Sequence, residues 1–281
     1  MSILTTLFKL SGACCILGVF AYGFLSIQQR MIYHPRSYNT AYDNSLKKVV
    51  QIEYETGQGK QISFFYKGQS IMPPKRLWIM FGGNGSLALD WFDRFLDHYS
   101  DGSSAYFLIE YPGYGKCEGN ASPSSIAQSA DNALETLFKR YESIQMASKT
   151  QLNAIGHSLG SAIALDFASR HPCQKIILLA PFTSLADMAK RVVGIPFCYL
   201  LTHHLDNHDR LLEIAQKTPQ CKVYLFHGTN DAIIPVNMGK QLADSFPSLI
   251  RFIELPLTDH QTIITRGRNK IFQAMDGERV R

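Results

Sequence analysis

The stretch Gln151–Gly160, QLNAIGHSLG, sets a serine between two glycines, where a short mixed run gives way to small and apolar residues at helical spacing. A serine on a sharp strand-to-helix turn is pushed into the open, and its hydroxyl becomes a nucleophile once a base takes its proton. Gly156 and Gly160 leave strand and helix free to approach closely. The helix that begins behind Ser158 points backbone N–H groups and its positive end at the place where an oxyanion would form. The plain alternative is a glycine-rich turn carrying an incidental serine, so partners must be sought elsewhere in the chain.

Nine histidines are available as the base. His260 follows the last strand-like run, in Leu257-Thr258-Asp259-His260, and is the expected one. His157 lies inside the turn and is expected to point away from the serine. His203, His204 and His208 fall in an insertion, and His227 closes a strand beside Gly228. The orienting acid should sit in the loop after the preceding strand, where His227-Gly228-Thr229-Asn230-Asp231 supplies Asp231. Asp259 adjoins the histidine too closely to reach its distal ring nitrogen, and Asp206 reads as structural. The chain order Ser158, Asp231, His260 suits acyl transfer through a serine nucleophile. A second glycine-rich loop, Phe81-Gly82-Gly83-Asn84-Gly85-Ser86, leaves another apolar strand. Its backbone N–H groups are candidates to hold an oxyanion, and the donors expected are those of Asn84 and Leu159. This chemistry calls for no metal and no cofactor.

Such a site needs a scaffold that brings three distant segments to one edge. Val49–Glu55 and Gln61–Lys67, separated by Thr56-Gly57-Gln58-Gly59, predict a β-hairpin. Leu77–Phe81, Tyr106–Glu110, the run before Ser158, Lys175–Ala180, Lys222–Phe226 and Ile250–Leu255 are apolar runs suited to buried parallel strands. Helical spacing falls between them over Leu87–Tyr99, over Pro123–Tyr141 behind Ser122, and after Ser158. Strands alternating with helices predict an α/β fold with a mostly parallel, doubly wound sheet. Residues 181–218 break the rhythm. They suit either a small cap over an acyl pocket or an ordinary crossover helix.

A length of 281 residues accommodates one sizeable domain. The formal charge of +5, without a run of five basic residues, argues against nucleic acid as a partner. The six cysteines, Cys14, Cys15, Cys117, Cys173, Cys198 and Cys221, have no metal-binding spacing. They read as reduced thiols, with two disulfides as the alternative. Leu10–Ile27 is apolar or small throughout. As a helix its length would be roughly 27 Å, close to the hydrocarbon core of a bilayer. Residues 1–30 therefore read as a single-pass membrane anchor and 31–281 as the catalytic domain; a cleaved signal peptide is the rival. Arg30, Arg36, Lys47 and Lys48 outnumber Lys9, which places the body on the cytoplasmic side. The glycosylation sequon Asn84-Gly85-Ser86 falls in the proposed oxyanion loop, which agrees with a non-glycosylating side.

The motifs MIYHPR, FGGNGS, EYPGYGKCEG, GHSLGSAIALDFA, APFTSLADMA, HGTNDAIIP and the terminal Asp-His, in this order, resemble the α/β-hydrolase superfamily. The likeness is to its N-terminally anchored branch, which includes protein depalmitoylases of the alpha/beta-hydrolase-domain type. In that branch the oxyanion loop usually opens with His-Gly-Asn, where this chain has Phe81-Gly82-Gly83-Asn84. The resemblance implies ester or thioester hydrolysis without fixing the substrate; an anchor that holds the mouth of the pocket near lipid makes acyl chains on lipids or membrane proteins the expected substrate. A non-catalytic anchored scaffold and a serine peptidase are the alternatives.

Overall fold

The computed structural model describes residues 23, 26–99, 101–146, 150–195 and 197–278. The apolar run Leu10–Ile27 lies outside the described residues except for Gly23, Ser26 and Ile27. Among the described residues no helix is long and apolar enough to cross a membrane.

Among the described residues eight strands form one sheet: β1 Val50–Thr56, β2 Gly59–Tyr66, β3 Arg76–Phe81, β4 Ser104–Ile109, β5 Gln151–His157, β6 Lys175–Leu179, β7 Lys222–Gly228 and β8 Ile250–Leu255. Their spatial order is β1-β2-β4-β3-β5-β6-β7-β8. β1 and β2 form the expected hairpin, closed where Thr56 faces Gly59, and β2 runs antiparallel to β4. Every later pairing is parallel. The central strands are covered on both faces, and Trp78, Ile79, Met80 and Phe81 are wholly buried. That is why these strands read as unbroken apolar runs rather than alternating ones.

The helices follow from local chemistry. Pro123–Arg140 starts with Pro123 inside a capping box between Ser122 and Ser125, and buries Ile126, Ala130, Ala133, Leu134 and Leu137 on one face. Leu159–Arg170 is buried nearly all round because its first turns are small residues, Gly160, Ser161 and Ala162. The Leu87–Tyr99 region does not form one helix. It runs helical over Leu89–Arg94, turns at Phe95 and continues as a 3-10 turn over Leu96–His98. The Phe95 ring is buried against Trp91 and Phe272.

Residues 181–218 divide into two parts. Leu185–Val193, capped by Ser184 and stopped at Gly194, buries none of its residues. Asn207–Lys217, capped by Asp206, buries Leu211 and Ile214 and packs beside Leu159–Arg170, joined to it by Arg210 and Asp166 at 3.3 Å. Among the described residues Cys117, Cys173, Cys198 and Cys221 are unpaired thiols.

Candidate active site

Ser158 stands between the end of β5 and the first turn of Leu159–Arg170 with φ 55° and ψ −119°, a conformation that L-residues seldom adopt. Its surroundings impose it. The Ser158 N–H donates to the Leu179 carbonyl of β6 at 2.8 Å. A Cβ on Gly156 would lie 2.0 Å from the Gly160 carbonyl oxygen, and one on Gly160 would lie 2.3 Å from that of Phe81. Both glycines are thus required by close backbone approach, and the turn has no slack to relax the serine.

His260 comes from the loop after β8. Its Nε2 is 2.9 Å from Ser158 Oγ, and its Nδ1 is 2.7 Å from Asp231 Oδ2. Asp231, after β7, accepts two backbone N–H bonds on Oδ1, from Ile233 at 2.9 Å and Ile234 at 2.8 Å. The structure therefore brings Ser158, His260 and Asp231, expected from sequence, into one hydrogen-bonded line, all of them buried. Burial works against a charge on Asp231, but the His227 and His260 rings and the Ile234 N–H outweigh it and hold the carboxyl well below its usual range. His227 Nε2 donates to the Ile234 carbonyl at 2.8 Å and so fixes the loop that carries the acid. The loops after β7 and β8 are stitched together by Asn230 N–H to the Thr258 carbonyl at 3.0 Å and Leu257 N–H to Thr229 Oγ1 at 2.9 Å. Asp259 is turned outward, with Oδ1 taken by the N–H groups of Gln261 and Thr262, and Asp206 is a helix cap.

His157 holds a place that its sequence context did not disclose. Its ring lies 4.9 Å from that of His260, and Nε2 is 3.1 Å from the His260 carbonyl oxygen. Burial, reinforced by the nearby His260 ring, drops its pKa to about 3. A neutral ring that donates from Nε2 anchors the backbone of the residue whose side chain faces Ser158.

Of the expected oxyanion donors, Leu159 is the first residue of its helix, where backbone N–H groups have no intrahelical partner. The loop 82–84 lines the cavity beside Ser158, and a Cβ on Gly83 would sit 3.4 Å from the Ser158 Cβ. The Asn84 side chain is engaged elsewhere. Its Oδ1 accepts from the His34 N–H at 2.8 Å, and its Nδ2 is 3.0 Å from His34 Nδ1.

The cavity above Ser158 has a volume of about 830 Å³. Apolar side chains from the stretch 26–32, from Leu185–Val193 and from the loop after β7 line it, among them Met31, Met188, Val192 and Ile233. Its only carboxylate among the described residues is Asp90, which is bound by Arg36 at 3.1 Å and by the Tyr42 hydroxyl at 2.6 Å.

The sheet order, the serine turn and the loops at the carboxyl ends of the strands are those of the α/β-hydrolase fold. Residues 73–208 match the family described as Hydrolase_4, serine aminopeptidase S33. An uncharacterized protein of Mycobacterium tuberculosis is 27% identical over 154 residues, 54% of this chain and 52% of its own length, so the chain spans about half the length of this curated relative. An uncharacterized membrane protein of Saccharomyces cerevisiae is 31% identical over 176 residues, 60% of this chain and 59% of its own length. Among solved structures, an esterase of Pyrococcus furiosus shares the fold at a TM-score of 0.64 and 13% identity, covering 88% of this chain and 96% of that one.

Proposed function

We propose that this α/β-hydrolase is a serine hydrolase that cleaves acyl esters or thioesters through an acyl-enzyme. The observation that carries the reading is the unbroken line from Ser158 Oγ through the His260 ring to Asp231. His260 Nε2 takes the Ser158 proton as Oγ attacks the acyl carbonyl, and Asp231 keeps the ring proton on Nδ1. The tetrahedral oxyanion is held by the Leu159 N–H and by an N–H of the Gly83–Asn84 stretch. His260 then protonates the leaving alcohol or thiol, and water repeats the sequence on the acyl-enzyme. The apolar cavity favours an acyl group over a peptide amino terminus, since the Asp90 carboxylate in its wall is already committed to Arg36. Ser158→Ala should lower turnover of a p-nitrophenyl ester by at least a thousandfold and abolish labelling by a fluorophosphonate. Wild-type labelling in a folded variant would refute the assignment and favour the scaffold alternative.

The apolar run Leu10–Ile27 supports a membrane anchor, with the catalytic domain on the cytoplasmic side. The relative in Saccharomyces cerevisiae, described as a membrane protein, is in keeping with this. Cell fractionation of the full chain beside a form lacking residues 1–30 tests it, and recovery of the full chain in the soluble fraction would overturn it.

A further inference from the structure

The acyl-hydrolase reading leaves open which acyl groups the cavity takes, and the following rests on that reading. Two walls of the cavity stand outside the sheet. One is the helix Leu185–Val193, none of whose residues is buried. The other is the helical stretch 26–32, which contributes Ile27, Met31 and Ile32. Ile27, Met31, Val192 and Leu200 are 60%, 53%, 72% and 52% exposed, although all four line the cavity. An apolar rim of this kind marks a surface that apolar matter covers.

A polar latch joins the two walls. Gln28 is buried beneath the rim. Its Nε2 donates to the Leu200 carbonyl at 2.7 Å, and its Oε1 accepts from the N–H and the hydroxyl of Thr202, both at 3.0 Å. The chain that follows is pinned on both sides. The Tyr33 hydroxyl is 3.2 Å from His203 Nδ1, and the His34 N–H donates to Asn84 in the glycine loop. This segment is thus a strap connecting the glycine loop beside Ser158 to the segment after Leu185–Val193. The same strap continues directly from the apolar run Leu10–Ile27, whose last residue lies on the rim.

We infer that the stretch 26–32 and the helix Leu185–Val193 are the walls of a channel for a long acyl chain, that the rim of this channel seats on a lipid bilayer, and that Gln28 sets the channel's width. The stretch 26–32 is then part of the substrate site, and the acyl chain passes from bilayer to Ser158 between apolar walls without crossing water. Gln28 acts as a specificity-determining residue through the spacing of those walls.

The test uses the full chain in phosphatidylcholine vesicles, with kcat/KM measured for p-nitrophenyl palmitate and p-nitrophenyl acetate. The wild type should prefer palmitate. Gln28→Leu, which removes the latch, and Val192→Glu, which puts a charge on the exposed rim, should each lower the palmitate-to-acetate ratio about tenfold, the size of one or two lost methylene contacts. A ratio unchanged in both variants, or equal loss on both esters, would overturn the channel. A wild type that prefers acetate would overturn it too while leaving the serine-hydrolase reading intact. A wild type that hydrolyses neither ester would instead sink that underlying reading.

Discussion

Replacing Asp231 by asparagine isolates what the carboxylate contributes. The acid accepts three hydrogen bonds, two on Oδ1 from the N–H groups of Ile233 and Ile234 and one on Oδ2 from His260 Nδ1. An asparagine oxygen can keep the two backbone bonds, so the loop after β7 should hold its shape. The amide nitrogen must then occupy the place of Oδ2, where it faces His260 as a donor. The ring can satisfy it only by moving its proton from Nδ1 to Nε2, the nitrogen 2.9 Å from Ser158 Oγ. A protonated Nε2 cannot accept the serine proton. The expected loss in kcat is about 10³- to 10⁴-fold, or roughly 4–5.5 kcal/mol of transition-state stabilisation. Thermal unfolding should move by only a few degrees, because the hydrogen-bond count is preserved. The assay is initial rates on a p-nitrophenyl ester, normalised by active-site titration, alongside a melting curve. A folded Asp231→Asn protein within tenfold of wild-type kcat would show that another group orients His260, and the triad assignment would fall.

Two further outcomes follow from the same geometry. Burial pushes Glu110 up to about 8 from an ordinary 4.5, although the Tyr38 hydroxyl and the Ala88 N–H both bond it. The folded state then holds a proton that the unfolded chain releases, so this group's stabilisation is complete below about 4.5 and is lost as pH rises towards about 8. Denaturant unfolding of the wild type between pH 5 and pH 8 should show a fall of a few kcal/mol that Glu110→Gln largely removes; parallel pH profiles would contradict this. Gly160→Ala should cost both stability and turnover, since its Cβ would meet the carbonyl oxygens of Phe81 at 2.3 Å and Gly82 at 2.5 Å and displace the glycine loop. Losses of about 1–3 kcal/mol and about a hundredfold in kcat are expected, while Gly102→Ala, in open space, should be neutral. Wild-type kcat in Gly160→Ala would refute the required close approach.

Much of the architecture is legible in the chain before any coordinates. Apolar runs such as Leu77–Phe81 and Lys175–Leu179 show strands because both faces of a central parallel strand are covered, and the capping signal at Ser122-Pro123 starts its helix where expected. Ser158, Asp231 and His260 are legible for a related reason. Each occupies a loop just after a strand, and strand endings are visible in composition. Residues 181–218 stayed ambiguous because amphipathic spacing alone does not say what a helix faces. Leu185–Val193 turns towards the cavity and Asn207–Lys217 packs on a neighbouring helix.

Local residue order thus determined the element types and the identity of the groups suited to acyl transfer. Only the tertiary structure decided the contacts between segments far apart in the chain: the His157 ring on the His260 carbonyl, the Asn84 side chain turned to His34, and Gln28 joined to Leu200 and Thr202. No local pattern encodes such pairings. They arise where strand order and loop lengths happen to place a donor opposite an acceptor, with burial removing the water that would otherwise serve both.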